Sequence, residues 1–265
     1  MDTELLGFLQ DNQNLWALKT PYHLNSDFYD RRSFLKGGST LTELELLQVG
    51  EVKGLELLHL QCHFGLDTLS WVRLGARATG LDFSHEAIEA ARALASESGL
   101  NCAFRCANVL DQQNDWESKF DRLVTSFGVL CWLANLDRWA SNIAYYLRDG
   151  GVFSLLEFHP LTNLFSPEVS PTGRYSYSPM PVSRRRTGTY ANRNAPIEYT
   201  EHVWGHNIGE IISSLMRAGL KILTVAEHRY SPIMFHPEMI ETDCGWTIER
   251  NSEHLPVLLS ITARK

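Results

Sequence analysis

Five short apolar runs, 55–60 (LELLHL), 78–82 (ATGLD), 102–106 (CAFRC), 121–126 (DRLVTS) and 151–157 (GVFSLLE), alternate along the chain with segments of helical spacing, and this alternation constrains the fold most. Runs of this length suit buried strands. The segments between them, 65–74, 84–97 and 135–148, repeat apolar residues every three or four positions, as a helix covering a sheet must. Ser84 opens the second as an N-cap and places Ala87, Ile88, Ala91 and Leu94 on one face. Strands joined by helices run parallel, with helices on both faces of the sheet. The DGG at 149–151 reads as a helix stop. A further helix at 207–218 groups Ile208, Ile211, Ile212 and Leu215 before Gly219, and two more strands, 220–228 and 256–263, bring the expected total to seven.

The chain has 265 residues and 44% hydrophobic content, enough for one large core without disulfide staples. Its net charge of −7 speaks against nucleic acid or an anionic membrane as partner, because neutralising phosphates needs clustered Lys and Arg. Five cysteines with no CxxC pair suggest reduced thiols. The first residues are acidic where a signal peptide is basic, and no apolar run of membrane-spanning length occurs, so a cytoplasmic location is expected. Helices are expected near 3–10 and 41–48, and residues 1–53 read as an N-terminal helical cover, with YHLNSDFYDRRSFLKGG too polar for a core strand. Residues 54–159 and 207–265 read as the core. Residues 160–206, which hold six of the ten prolines and four of the nine tyrosines, form an insertion with no helical or alternating period.

In an open parallel sheet, ligands bind at the carboxyl ends of the strands, close to the first strand-to-helix turn. That turn is HLQCHFGLDT, His59 to Thr68, and it keeps only Gly65 of a GxGxxG dinucleotide fingerprint. Asp82 ends the second strand 17 residues after Gly65, where a carboxylate accepts both hydroxyls of a ribose. An adenosine without a diphosphate fits this pair better than a nicotinamide dinucleotide does. A pure cap on the helix at Ser84 is the plainer role for Asp82.

With the turn after the first strand, Asp82 in GLDFS, Asn108 in CANVLD, the fourth-strand stretch FDRLVTSFGVLCWL and the LRDGGVFSLLEFHP lead-in to the fifth, the chain resembles the class I S-adenosylmethionine-dependent methyltransferases. The resemblance covers roughly 54–159 and 207–265. It implies an α/β, Rossmann-like seven-stranded sheet with the seventh strand inserted antiparallel, S-adenosylmethionine as cofactor, and methyl transfer to an oxygen or nitrogen of a small molecule. His59, Gln61 and His63 stand where the family's usual DxGxGxG has its acid and first two glycines, and HLQCHFG is similar to a variant of that motif in a bacterial branch. Carried over position by position, Gln61, Cys62 and Gly65 line the methionyl half, Asp82 holds the ribose and Phe83 flanks the adenine. Asn108 and Val109 meet the adenine edge, and Phe127, Gly128 and Val129 pass beneath the sulfonium. The resemblance also implies that the N-terminal SDFYDRR, with Phe28, Tyr29 and Arg31, closes over the cofactor from the other side.

A methyl acceptor that loses a proton needs a base, and His159, His202 and His206 are the candidates, each with a structural hydrogen-bonding role as its plainer reading. His202 and His206 are four apart, and His59, Cys62 and His63 are spaced like metal ligands, but a buried strand end and a lone pair of histidines make no metal site, and none is expected. Glu157 is a further candidate, as a base or for orienting the acceptor, with Trp132, Tyr175, Tyr177, Arg186, Tyr199 and Trp204 as walls. The insertion carries five arginines (174, 184, 185, 186, 193) against three glutamates (168, 198, 201), a basic, tyrosine-rich cover on an acidic scaffold that suits an anionic or aromatic acceptor. Two rival readings use the same scaffold: an S-adenosylmethionine enzyme that does not methylate, and a catalytically silent binding protein. Oligomeric state is left open.

Overall fold

The computed structural model describes residues 3–164 and 175–265. The chain begins with helices α1 (Thr3–Leu24), α2 (Arg31–Leu35) and α3 (Glu43–Val49), followed by β1 (Glu56–Leu60), α4 (Leu66–Arg73), β2 (Arg77–Asp82), α5 (His85–Ser98) and β3 (Ala103–Cys106). Next come β4 (Phe120–Ser126), α6 (Leu136–Tyr146), β5 (Leu147–Phe158), the hairpin β6 (Val182–Thr187) and β7 (Glu198–Val203), and α7 (Ile208–Arg217). The chain closes with β8 (Lys221–His228), β9 (Ile240–Thr242), β10 (Gly245–Arg250), β11 (Glu253–Leu255) and β12 (Leu258–Arg264).

Seven strands form the central sheet in the order β3-β2-β1-β4-β5-β12-β8, with β12 antiparallel to both neighbours and the other adjacent pairs parallel. This is the α/β, Rossmann-like architecture expected. The order departs from β1 toward β2 on one side and β4 on the other, which opens a crevice at the carboxyl ends of these strands. Local chemistry fixes the covering helices. Ser84 accepts a hydrogen bond from Ala87 N at 3.2 Å to start α5, and Asn135 accepts from Arg138 N at 2.9 Å to start α6. Helix α6 buries Leu136, Trp139, Ala140, Ile143 and Tyr146 on one face against Phe153 and its neighbours. Each large side chain there contributes about 1.5–3 kcal/mol of burial.

Four features differ from the sequence expectation. Helix α6 ends at Tyr146 rather than 148, and Leu147 already pairs with Phe120, so the DGG lies inside the irregular start of β5. The insertion contains the β6–β7 hairpin, and residues between β8 and β12 form the three-stranded sheet β11-β10-β9. Short strands such as Ile240–Thr242 carry too few residues for a period to show. Most consequential, α1 runs to Leu24 rather than stopping near residue 10. Its buried positions are Asn12, Leu15, Lys19, Thr20 and His23, mostly polar, so no apolar stripe announces the helix.

Polar pairing docks α1 instead. Asn12 donates through Nδ2 to His202 O at 2.7 Å and accepts through Oδ1 from His202 N at 2.9 Å, clamping α1 to β7. Gln13 donates to Phe83 O at 2.8 Å, which reaches across to the end of β2. Replacing Asn12 strands two buried backbone groups of His202. Asn12→Leu is expected to lower unfolding free energy by about 2–3 kcal/mol, read from the urea midpoint at unchanged slope.

Candidate functional site at the strand ends

The turn after β1 holds three alternate residues in the left-handed region: Gln61 at φ 55°, His63 at 50° and Gly65 at 81°. A Cβ at Gly65 would sit 2.7 Å from the Phe104 ring, so that position has to be glycine. Gln61 and His63 bear side chains in a conformation that costs about 1–2 kcal/mol each. The turn keeps the backbone of a glycine-rich loop while presenting side chains from it. Gln61 donates to Val129 O at 3.1 Å, tying the β1 turn to the segment after β4, and its Oε1 is enclosed without a partner.

Asp82 locks the turn to β2. Its Oδ2 accepts from His63 N at 2.8 Å and its Oδ1 from Ser84 N at 2.9 Å. Burial raises its pKa to about 6, against the pull of these backbone donors. Capping of α5 itself falls to the Ser84 hydroxyl. Asn108 turns its Oδ1 to Leu110 N at 2.9 Å, and Val109 is packed in the main core. Cys62 sends its thiol into the cluster of Phe34, Phe64 and Phe104, so only its backbone faces the crevice. Phe127 stands at φ 41° with its ring 5.8 Å from Phe158, on the side of the three-stranded sheet, and leaves Gly128 and Val129 as the bare passage after β4. Tyr29 arrives from the segment after α1, with its ring 4.7 Å from Phe64 and its hydroxyl against that of Tyr190.

The histidines chosen as bases are engaged elsewhere. His159 is buried, with Nε2 on Glu227 Oε1 at 2.7 Å and Nδ1 accepting from Leu161 N at 3.1 Å. His202 lies on β7 rather than on a helix, between Ser183 Oγ at 2.8 Å and Asp11 Oδ2 at 3.3 Å. His206 bonds Leu133 O at 2.8 Å and stacks on Tyr177, leaving only an enclosed Nδ1 unpartnered, and burial lowers its pKa. Tyr177 in turn donates to Ala134 O at 2.9 Å, and Trp204 is buried and donates to Pro179 O at 3.2 Å, so both anchor the insertion. Glu157 accepts from the backbone N–H groups of Gly128, Val129, Leu130 and Phe158, which shapes the turn after β4 rather than meeting an acceptor. The run of three arginines is part of β6, where Arg185 pairs with Glu198 and Arg186 with Glu201. Tyr175 begins the second described stretch, and Arg174 and Glu168 lie outside the described residues.

A different group of side chains gathers over the crevice. Trp132 donates to Gly128 O at 2.9 Å and stands edge-on to Trp16 at 5.3 Å. Lys19 of α1 points its ammonium at the rings of Trp16, Trp132 and Tyr199, at 5.0, 5.5 and 4.5 Å from their centroids. One turn further along α1, His23 Nδ1 meets His63 Nε2 at 2.9 Å, and burial lowers His23 to about 3 and His63 well below its ordinary value, so both rings are neutral. His59 bonds Thr68 Oγ1 at 2.9 Å, so His59, Cys62 and His63 turn to three separate surroundings. Sequence reasoning missed Lys19, His23 and Trp16 because nothing marked residues 11–24 as helical; the substitution of His63 for a glycine was the one available signal.

A family model described as a methyltransferase domain matches residues 58–153. Over those residues the chain is similar to a methyltransferase domain. They contain the β1 turn, Asp82, Asn108 and the Gly128–Val129 passage. The ubiquinone biosynthesis O-methyltransferase of Chelativorans sp. (strain BNC1) is 34% identical over 100 residues, which are 38% of this chain and 39% of that protein. The chain thus aligns with about two fifths of the length of such curated relatives. Among solved structures, an S-adenosylmethionine-dependent methyltransferase from Mesorhizobium loti superposes with a TM-score of 0.55 at 19% identity, over 87% of this chain and 100% of that one. The [4+2]-cyclase SpnF superposes with a TM-score of 0.54 at 20% identity, over 83% of this chain and 75% of that one. Among the described residues, no helix is long and apolar enough to cross a membrane.

Glu157 gives this site a direct structural test. Glu157→Ala leaves four backbone donors without their acceptor and is expected to cost at least about 2 kcal/mol of stability in chemical denaturation. Phe235→Ala, which removes only a ring stacked 3.9 Å from Phe158, serves as a packing control that leaves those donors paired.

Proposed function

We propose that the protein binds S-adenosylmethionine at the carboxyl ends of β1, β2 and β4 and transfers its methyl group to an oxygen or nitrogen of a small molecule. The observation that carries this reading is the Asp82 carboxylate, held by His63 N and Ser84 N at the crevice beside a turn with the backbone of a glycine-rich loop. The methyltransferase-domain match over 58–153 supports it. Asp82 fits a ribose because a carboxylate has acceptor capacity beyond the two backbone donors. Gln61 and Gly65, with the backbone of Cys62, line the methionyl portion, Tyr29 covers it, Phe83 and Asn108 flank the adenine with the backbone of Val109, and Gly128 and Val129 leave room beneath the sulfur. Bound there, the cofactor supplies a methyl group on a cationic sulfur, which any well-placed nucleophile attacks in line.

The chain's own residues then position and desolvate the acceptor. Helix α1 and the β6–β7 hairpin close the crevice, and Trp132 and Tyr199 wall it. Their aromatic faces stabilise a neighbouring cation. A second reading, an S-adenosylmethionine enzyme that does not methylate, draws on the side chains of Gln61 and His63 in the turn and on the fold it shares with the cyclase SpnF.

Methyl-labelled cofactor and a panel of phenols, carboxylates and amines distinguish the two: labelled product with S-adenosylhomocysteine supports transfer, and cofactor breakdown without labelled product supports the second reading. Asp82→Ala is expected to weaken S-adenosylhomocysteine binding by about 1–3 kcal/mol in calorimetry, and unchanged affinity would exclude the assignment. The raised pKa of Asp82 sets a pH dependence. Its folded value, about 6, lies above that of the unfolded chain, so this group favours folding most at low pH and that contribution is lost as pH rises through about 6. Cofactor binding runs the other way, since the ionised carboxylate is the better acceptor. Affinity should therefore fall as pH drops below about 6 while the protein stays folded.

A further inference from the structure

Lys19 is 3% exposed and makes no hydrogen bond or ion pair among the described residues. The carboxylate whose charge it feels, Glu201, is bonded to Arg186 at 3.1 Å. A buried cation without a counter-charge is costly, and three ring faces offset only part of that cost. Burial lowers Lys19 only to about 8, so it stays largely protonated at neutral pH. Beside it His23 is fully buried, and with Nδ1 engaged by His63 its Nε2 is enclosed and unpartnered. A buried ammonium and an orphaned imidazole nitrogen, one helical turn apart on α1, describe a polar site with no partner among the described residues.

Placement indicates which ligand that is. His23 meets the cofactor turn through His63, whereas Lys19 faces Trp132 after β4 and Tyr199 of the insertion hairpin. Resting on the methyltransferase reading above, we propose that Lys19 is the anion-holding residue of the acceptor site, receiving the ionised oxygen of a small aromatic acid between the rings of Trp16, Trp132 and Tyr199. Carboxylates and phenolates share this chemistry. His23 Nε2 offers a second polar contact to the same molecule.

The test titrates the full-length protein with benzoate, 4-nitrophenol and the neutral isostere benzamide, with and without S-adenosylhomocysteine, following tryptophan emission because Trp16 and Trp132 border the ammonium. Benzoate or 4-nitrophenol should bind at least about tenfold tighter than benzamide, and the stronger of the two identifies the anion. Lys19→Met should abolish that preference and Lys19→Arg retain it, with S-adenosylhomocysteine affinity unchanged in both. Equal binding of all three probes by the unaltered protein overturns the proposal, whatever the variants do. So does a Lys19→Met protein that keeps the preference but binds S-adenosylhomocysteine more weakly, since Lys19 would then serve the cofactor. Failure of the unaltered protein to bind S-adenosylhomocysteine overturns the methyltransferase reading instead, and the anion preference, measured without it, separates the two results.

Discussion

The carboxylate of Asp82 joins the two pieces of backbone on which the crevice depends. By accepting from His63 N and Ser84 N it fixes the turn leaving β1 against the start of α5. The turn needs such a hold, because Gln61 and His63 sit in the left-handed region without being glycine. Strain of this kind persists only where the surroundings over-determine the conformation. Here the surroundings are Asp82, the Gln61 bond to Val129 O, and the packing of Phe104 against Gly65. Glu157 does for the turn after β4 what Asp82 does for the turn after β1, gathering four backbone donors on one carboxylate. Both acids are buried, and burial raises the pKa of each, so both turns hold charge at a cost that their backbone donors offset.

The cover over this crevice is held by different physics. Helix α1 docks mainly through polar groups, with Asn12 on the backbone of β7, Gln13 on that of Phe83 and His23 on His63. A cover docked by hydrogen bonds keeps its polar side chains inside, where an apolar stripe would have filled the space with hydrocarbon. That is why the crevice contains an ammonium, two neutral imidazoles and two tyrosine hydroxyls in a setting of aromatic rings.

The seven-stranded sheet was legible because its strands and covering helices obey simple periods. Leu57, Leu58 and Leu60 in β1, and Trp139, Ile143 and Tyr146 in α6, are buried where the pattern placed them. The antiparallel seventh strand, lying between β5 and β8, also agrees with the family resemblance. The insertion was harder to read. Its β6–β7 hairpin alternates half-buried Arg184 and Arg186 with exposed neighbours, and arginines give no hydrophobic period. The histidines illustrate a second limit. His159, His202 and His206 are poised near neutral pH as amino acids, but their neighbours, Glu227, Ser183 with Asp11, and Leu133 O, turn them into structural links.

By itself, the sequence determined the strand and helix periods, the acid that ends β2 and the departure from glycine in the β1 turn, since these are local properties of residue type and spacing. Only the tertiary structure decided which side chains face the crevice. Lys19, His23 and Trp16 are 36 or more residues from the turn they cover, and Tyr199 is farther still. No local period can report a meeting that depends on a helix bonded to the end of β2 through Gln13 and on a hairpin clamped to it through Asn12. The buried ammonium of Lys19 among three rings is a product of that long-range packing.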